Sequence, residues 1–356
     1  MQLKTTILLC LFTIGLIPTT IAQDVDFTQW QANYMAFNPA MTGISNNPRI
    51  HFAHRFQPVY FILPNNEHQA GRTTTVSYDQ RISPKGGYIG VSYMNDMIGS
   101  AQFGTQSVML NYARNYSIDI SAKAGNENFS DAGKLNLRFG IALGGFERSI
   151  SGEKLRLTDQ YNPRTGVTYQ SYSRIPSTTI YTGIRPNFGI GTAMNYNNFY
   201  AGFAIHNILE SMDAFGPNPT TRLPRRYSAN AGAFLPLNPA NEKTAILAPH
   251  IVFQRQNNIA VLQPGLNFNK GIFTGGASYR YSETHISNLG TRKAQSINFL
   301  LGISKGMFKT AYNYDYNLNN TVFIKAVHEI SLSVYLGKHR EGNDKEIPYY
   351  YRKMGF

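Results

Sequence analysis

The chain is short of cysteine and of long apolar runs, and both shortages limit what it can be. Its 356 residues contain one cysteine, Cys10, so an intramolecular disulfide is excluded. Beyond residue 17, no segment approaches the about 18 consecutive apolar residues that a membrane-spanning helix needs. The longest apolar stretches, residues 139–146 and 297–303, are short and broken by glycine. Helical membrane spans are therefore excluded.

Acidic residues are also scarce. The chain has 33 Lys and Arg against 20 Asp and Glu, a net charge of +13. Such a surplus fits nucleic acid, an anionic lipid surface or a charged channel. The basic clusters at residues 222–226 and 338–340 are too small and too far apart to follow a phosphate backbone, so we expect no nucleic-acid partner.

The N-terminus has the pattern of an export signal. Lys4 precedes an apolar run at residues 7–17, and the helix-breaking Pro18 leads to small residues that end at Ala22. This pattern predicts a cleavable secretory signal peptide at residues 1–22. Cleavage would remove Cys10 and leave a mature chain without cysteine, which suits a bacterial envelope protein better than a small secreted domain.

The sequence is rich in aromatic residues (13%) and in glycine (31 residues), and its apolar residues recur with a period of two. At residues 135–143, for example, Leu or Phe or Ile alternates with polar or small residues. We count about 14 such segments between their breakers. In a membrane barrel the apolar face contacts lipid and the polar face lines the lumen. The pattern predicts an all-β fold, a closed antiparallel transmembrane β-barrel of about 14 strands at residues 49–337.

The connections between the predicted strands alternate in length, as in barrels with short periplasmic turns and long outer loops. The long ones are residues 58–72, 150–180 and 209–226, and residues 255–258 are a short exception. Among the tight connections only residues 117–133 are long. An even strand count places both mature ends in the periplasm, including a basic, Tyr-rich tail at residues 338–356.

Residues 23–48 precede the first predicted strand and carry several large apolar side chains. These would be stranded in water unless they packed in or against the lumen, so we predict an N-terminal plug or hatch. A solvated, mobile leader is the alternative. The candidate plug residues are Phe27, Trp30, Tyr34, Phe37, Asn38, Pro39 and Ala40.

Several short motifs resemble enzyme signatures but lack the context that those signatures require. Residues 302–306 match G-x-S-x-G, yet an alternating strand follows where a helix is needed. Ser151 and Lys154 have S-x-x-K spacing without a partner motif. His328 and Glu329 begin H-E-x-x-H, but position 332 is Leu. His206 could act as a base, although a lumen or turn position fits it better. We expect no enzyme activity, cofactor or metal site.

Several stretches, taken in order along the chain, resemble the PorP/SprF family of type IX secretion proteins from the Bacteroidetes. They are residues 23–24, 27–30, 37–43, 55–57, 276–281, 312–316 and 328–332. The resemblance implies an outer-membrane barrel that helps to export or attach large cargo, including gliding adhesins, rather than a catalyst. It implies as partners the C-terminal region of secreted cargo and other type IX secretion subunits, besides outer-membrane lipid. The link at residues 117–133 and the tail after Gly337 depart from the pattern.

The triplet Asn38-Pro39-Ala40 also occurs in the N-terminal hatch of FadL-like barrels. The alternative function is therefore a FadL-like transporter or porin for small hydrophobic compounds. In the partner interpretation, outer loops contact cargo and the tail contacts periplasmic machinery, because Tyr and Arg favour protein interfaces. The loop candidates are Tyr60, Arg72, Tyr161, Tyr169, Tyr172, Arg222 and Arg225, and the tail candidates are Tyr349, Tyr350, Tyr351 and Arg352.

Overall fold

The computed structural model describes the residues that form the barrel wall and part of the N-terminal region. The described residues are 27–45, 47–58, 70–83, 87–99, 102–120, 133–152, 178–213, 215, 221–238, 245–286, 290–319 and 326–337. The predicted signal peptide (residues 1–22) and the C-terminal tail (residues 338–356) lie outside them. In the described part of the chain, no helix is long and apolar enough to cross a membrane.

The described strands form one antiparallel sheet. Two strands are short, β6 (Thr179–Tyr181) and β10 (Leu235–Pro236). The other fourteen are β1 (Arg49–Pro58), β2 (Ala70–Ser83), β3 (Gly87–Ile98), β4 (Phe103–Ile120), β5 (Gly133–Ser151), β7 (Arg185–Tyr196), β8 (Phe199–His206), β9 (Arg226–Ala233), β11 (Ile246–Gln256), β12 (Ile259–Lys270), β13 (Phe273–Ile286), β14 (Gly290–Lys305), β15 (Phe308–Asn317) and β16 (Ala326–Tyr335). The predicted number of long strands is confirmed.

The sheet closes on itself because its first strand pairs with its last. β1 lies antiparallel to β16, with Arg49 opposite Tyr335 and Phe56 opposite His328. Every other long strand pairs with a neighbour on each side, and β9 pairs with both β8 and β11. Closure gives every long strand of the described sheet a neighbour on both sides and so leaves no free sheet edge, as a lipid environment requires. The predicted closed antiparallel barrel is confirmed.

The period of two separates the two faces of the wall as predicted. On β5, Phe139 is 50% exposed and Leu143 is 58% exposed on the outer face. Arg138 and Ala142 on the same strand are buried on the inner face. An apolar outer face and a polar, charged inner face are the pattern of a barrel that lipid surrounds.

The two ends of the barrel differ in their connections. One end carries two-residue turns at residues 197–198, 271–272 and 306–307, together with the start of β1 and the end of β16; we call it the tight-turn end. Gly271 and Gly306 adopt the left-handed conformation that such turns favour. We call the opposite end the long-loop end. β4 was predicted to end at residue 116 but continues to Ile120, because its outward apolar residues continue to Ile118.

Residues 27–45, which we call the N-terminal segment, contain one helical turn and one 3₁₀ turn. The helix α1 spans Tyr34–Phe37, and the 3₁₀ turn spans Pro39–Met41. The side chain of Asn38 accepts a hydrogen bond from the backbone N–H of Ala40 and so caps the 3₁₀ turn. Pro39 follows at its first position, where a missing N–H has no cost.

Candidate functional site: the barrel interior

The N-terminal segment is buried almost throughout, and its contacts are with the inner face of the barrel. The ring centroids of Trp30 and Phe37 are 5.3 Å apart, and Trp30 lies 6.5 Å from Tyr200 of β8. Tyr200 in turn stacks on Phe234 at 5.2 Å. All the plug candidates are buried: Phe27, Trp30, Tyr34, Phe37, Asn38, Pro39 and Ala40.

At the tight-turn end, a buried ion pair holds the segment to the wall. Arg49 Nε of β1 lies 2.9 Å from Asp79 Oδ1 of β2, and both side chains are fully buried. Asp79 Oδ2 accepts hydrogen bonds from the Tyr34 hydroxyl at 2.8 Å and from the Gly43 N–H at 2.9 Å. The Arg49 guanidinium also lies 3.8 Å from the centre of the Tyr34 ring. One carboxylate thus joins two strands to two points of the segment.

Tyr34 is a hydrogen-bond donor in this cluster rather than an anion. Burial raises the pKa of Tyr34 well above its ordinary value, because the charged phenolate loses its solvation. Arg49 acts in the opposite direction, and the negative charge of Asp79 raises the pKa further. The neutral hydroxyl therefore donates to Asp79.

A second buried ion pair lies toward the long-loop end. Arg55 Nη1 of β1 is 2.5 Å from Glu329 Oε1 of β16. The two oxygens of Glu329 also accept the backbone N–H groups of Thr28 and Gln29, each at 2.9 Å. The hydroxyl of Thr28 donates to Asp315 of β15. The segment therefore runs from the long-loop half of the interior toward the tight-turn end, where β1 begins.

On the side formed by β5, β7 and β8, glycines let the segment contact the wall backbone. A Cβ placed on Gly140 would overlap the backbone of Ala40, and one on Gly191 would overlap the Asn38 side chain. The Asn38 amide donates to the carbonyl oxygen of Thr192 in β7 at 2.9 Å. Glycine is required at these positions because a side chain would push the segment away.

Polar side chains of the wall satisfy carbonyl groups of the segment. Arg138 Nε of β5 donates to the carbonyl oxygen of Ala40 at 2.8 Å. His206 Nε2 lies 2.9 Å from the carbonyl oxygen of Phe37, and the Ser228 hydroxyl donates to the same oxygen at 2.7 Å. His206 therefore occupies a lumen position and holds the segment.

Residues 207–213 and 221–225, in the connection between β8 and β9, pack on the long-loop side of the interior, and we call them the 207–225 loop. The guanidinium of Arg148 in β5 donates two hydrogen bonds to the Asp213 carboxylate, at 2.7 and 2.9 Å. Leu223 in the same loop is 2% exposed. Between this loop, the N-terminal segment and the wall lies a cavity of about 100 Å³.

The loop candidates fall on different parts of the long-loop end. Arg72 is exposed near the start of β2, with its guanidinium 5.9 Å from the Phe56 ring centre. Arg222 and Arg225 are both exposed on the 207–225 loop, and Arg225 lies 3.6 Å from Glu210. The remaining candidates lie outside the described residues: Tyr60, Tyr161, Tyr169, Tyr172, Tyr349, Tyr350, Tyr351 and Arg352.

The charged anchors of the interior were not predicted from the sequence. They are Arg49, Asp79, Arg138 and Glu329, and each occupies an inward position of an alternating strand. A charge at such a position is the signal that could have found them, since an inward charge needs a partner. Residues 302–306 form the end of β14 and the turn into β15, as expected. Among the described residues, no group of three or more His, Cys, Asp or Glu could hold a metal ion.

Comparisons with known proteins address the family and the fold. A family model described as type IX secretion system membrane protein PorP/SprF matches residues 19–334. No curated protein matches the chain. The Pseudomonas putida toluene transporter TodX is similar at 10% identity and a TM-score of 0.44, over 85% of this chain and 93% of that one. A FadL homologue from Pseudomonas aeruginosa is similar at 11% identity and a TM-score of 0.43, over 85% and 94%.

Similarities to solved structures at this level say nothing about function, whereas the family match covers most of the chain. The closed barrel with an apolar outer face agrees with a membrane protein of that family, and together they place the protein in the outer membrane. The chain belongs to the PorP/SprF family of type IX secretion system membrane proteins.

Proposed function

We propose that the protein is a non-enzymatic outer-membrane component of the type IX secretion and gliding machinery. It assists the export or the surface attachment of large cargo or adhesin proteins. Membership of the PorP/SprF family supports a role in the type IX secretion machinery. The observation that carries the role is the buried N-terminal segment, which is fixed to opposite sides of the barrel interior. A barrel filled in this way suits a partner-binding component better than an open passage.

In this proposal the N-terminal segment is a plug. A barrel of about fourteen strands is too wide to be filled by its own side chains, since about eight strands is the size at which they suffice. Deletion of residues 27–42 tests the plug, because it should raise ion conductance in planar bilayers. Unchanged conductance in a correctly folded deletion variant would contradict it.

The long-loop end supplies the cargo-binding surface of this proposal. The 207–225 loop exposes Leu209 (50%) and Met212 (44%) beside Arg222 and Arg225. Apolar side chains beside arginine are typical of protein interfaces. The partner there is the C-terminal region of a secreted cargo protein. The tail at residues 338–356 contacts other type IX secretion subunits in the periplasm.

Transport of small hydrophobic compounds is the second candidate. The interior cavity favours it, because its lining includes Met35, Met94, Met109 and Phe146. Methionine-rich linings adapt to apolar ligands of different shape. The ion pairs that fix the N-terminal segment argue against it, because a continuous path would have to displace them.

Affinity isolation from detergent-solubilised envelopes tests the two candidates. The wild-type protein should bring down a large cargo protein through its C-terminal region. The double variant Arg222→Glu, Arg225→Glu should bring down less of it. Arg255→Glu is the matched control, because Arg255 is exposed on β11 at the same end of the barrel. Isolation of a fatty or aromatic small molecule without a protein partner would support the transporter instead.

A further inference from the structure

A groove lies on the outer, lipid-facing surface of the barrel, across β4, β5, β7 and β8. Its volume is about 520 Å³. Its walls are mainly aromatic and aliphatic side chains that point outward, among them Tyr112, Tyr116, Phe139, Ile190, Phe203 and Ile205. The groove lies on the opposite side of the wall from the N-terminal segment.

Strand register explains why the surface is indented here. Thr192 of β7 lies between Phe139 of β5 and Phe203 of β8 in one row across the sheet. A small side chain between two phenyl rings leaves a gap. Gly191 also lines the groove, and Asn38 packs on its inner side. At Gly191, only the backbone of β7 therefore separates the floor of the groove from the N-terminal segment.

Arg114 stands at one end of the same row, opposite Phe139. It is exposed on the outward stripe of β4, with its guanidinium 5.3 Å from the Tyr116 ring centre. None of the ion pairs found among the described residues involves Arg114. The neighbouring residue Ala113 pairs with Tyr88, the second residue of β3, so Arg114 lies level with the tight-turn end of β3.

We propose that the groove binds one membrane phospholipid, with its phosphate at Arg114 and an acyl chain over Thr192. A guanidinium can donate two parallel hydrogen bonds to a phosphate, and it remains charged at the membrane interface. The acyl chain buries apolar surface between Phe139 and Phe203. Tyrosines such as Tyr112 and Tyr116 prefer the headgroup level. Because the tight-turn end faces the periplasm in the proposed orientation, the lipid belongs to the inner leaflet.

Native mass spectrometry of the full-length, detergent-solubilised protein tests this site. With phosphatidylglycerol added in fixed excess, the wild type should retain one lipid. Arg114→Gln should weaken retention about tenfold, because it removes a charge-assisted contact. Thr192→Trp should weaken it as well, because the indole fills the floor without changing any charge. Diacylglycerol, which lacks the phosphate, should bind the wild type and Arg114→Gln equally.

Lys270→Gln is the matched control, since Lys270 is exposed at the tight-turn end of β12, away from the groove. It should retain phosphatidylglycerol like the wild type. A heat-dependent shift in gel mobility would show that each variant is folded. Equal retention by Arg114→Gln and the wild type would overturn the proposal. It would also be overturned if the groove variants lost a co-purified protein while lipid retention stayed unchanged.

Discussion

The two sides of the barrel interior hold the N-terminal segment by different means. On the side of β1, β2 and β16, buried charges make the contacts, through Arg49 with Asp79 and Arg55 with Glu329. On the side of β5 and β7, Gly140 and Gly191 let the segment touch the wall backbone. One side therefore depends on paired charge, whereas the other depends on close backbone contact at two glycines, together with hydrogen bonds from Arg138 and His206 to carbonyl groups of the segment.

Because the two sides hold the segment differently, substitutions on them should affect stability in different ways. Removal of one partner of a buried ion pair leaves an uncompensated charge, whereas replacement of both partners by apolar groups is often tolerated. The charged side should therefore be strongly non-additive. A carbon added on the glycine side acts by overlap alone, so its cost should not depend on the state of the charges, provided that the sites are far enough apart.

The largest effect is expected from Asp79→Ala. The substitution leaves Arg49 buried without its carboxylate and removes the acceptor of Tyr34 and Gly43. We expect the free energy of unfolding to fall by about 3–5 kcal/mol. Urea-induced unfolding in lipid vesicles measures it.

Two further variants give this prediction its control. Arg49→Met combined with Asp79→Ala should be more stable than Asp79→Ala alone, because no buried charge remains unpaired. Arg72→Gln, at an exposed position of β2, should change stability by less than about 0.5 kcal/mol. If the losses in unfolding free energy from Arg49→Met and Asp79→Ala simply added in the double variant, charge pairing would not be what holds this side.

Gly140→Ala probes the glycine side, and a smaller effect is expected. The added methyl group would overlap the backbone of Ala40, so the segment must shift. We expect a loss of about 1–3 kcal/mol in the free energy of unfolding and faster proteolysis within the segment. Gly275→Ala on β13 is the matched control, because a Cβ there meets nothing within 4 Å. Equal stability of the two variants would mean that close approach is not needed.

The sequence predicted one of these sides better than the other. Period-two alternation is local, so it yielded the strand number and the two faces, whereas the ends of several strands, such as β4 at Ile120, lie a few residues from their predicted positions. The apolar residues before residue 42 predicted that the segment is buried, because their side chains would otherwise be exposed to water. The alternation placed the small residues around Gly140 on one face of the strand. It did not show which residues they contact.

The charged side could not be read from the sequence, because its partners are far apart along the chain. Arg55 and Glu329 are separated by 274 positions, and they meet only because β1 pairs with β16 in one register. A slip of one residue would turn either side chain to the lipid face. In the sequence Glu329 belongs to a protease-like motif, whereas in the fold it binds Arg55 and the backbone of Thr28 and Gln29.

The smallest effect is expected from Tyr34→Phe, and it depends on pH. At neutral pH the variant loses the hydrogen bond to Asp79, which costs about 1 kcal/mol.

Since the folded-state pKa of Tyr34 is raised, the contribution of its neutral hydroxyl is present below the unfolded-state pKa of about 10 and is lost as pH rises above it. Between pH 10 and 11 the wild type should lose about 1 kcal/mol more than the variant, because the tyrosine of the unfolded chain is half ionised at pH 10 and almost fully ionised at pH 11. Urea unfolding in vesicles from pH 8 to 11 measures both curves, and Tyr116→Phe on the outer face should follow the wild type. Parallel curves for Tyr34→Phe and the wild type would show that this hydroxyl ionises as freely in the barrel as in the unfolded chain.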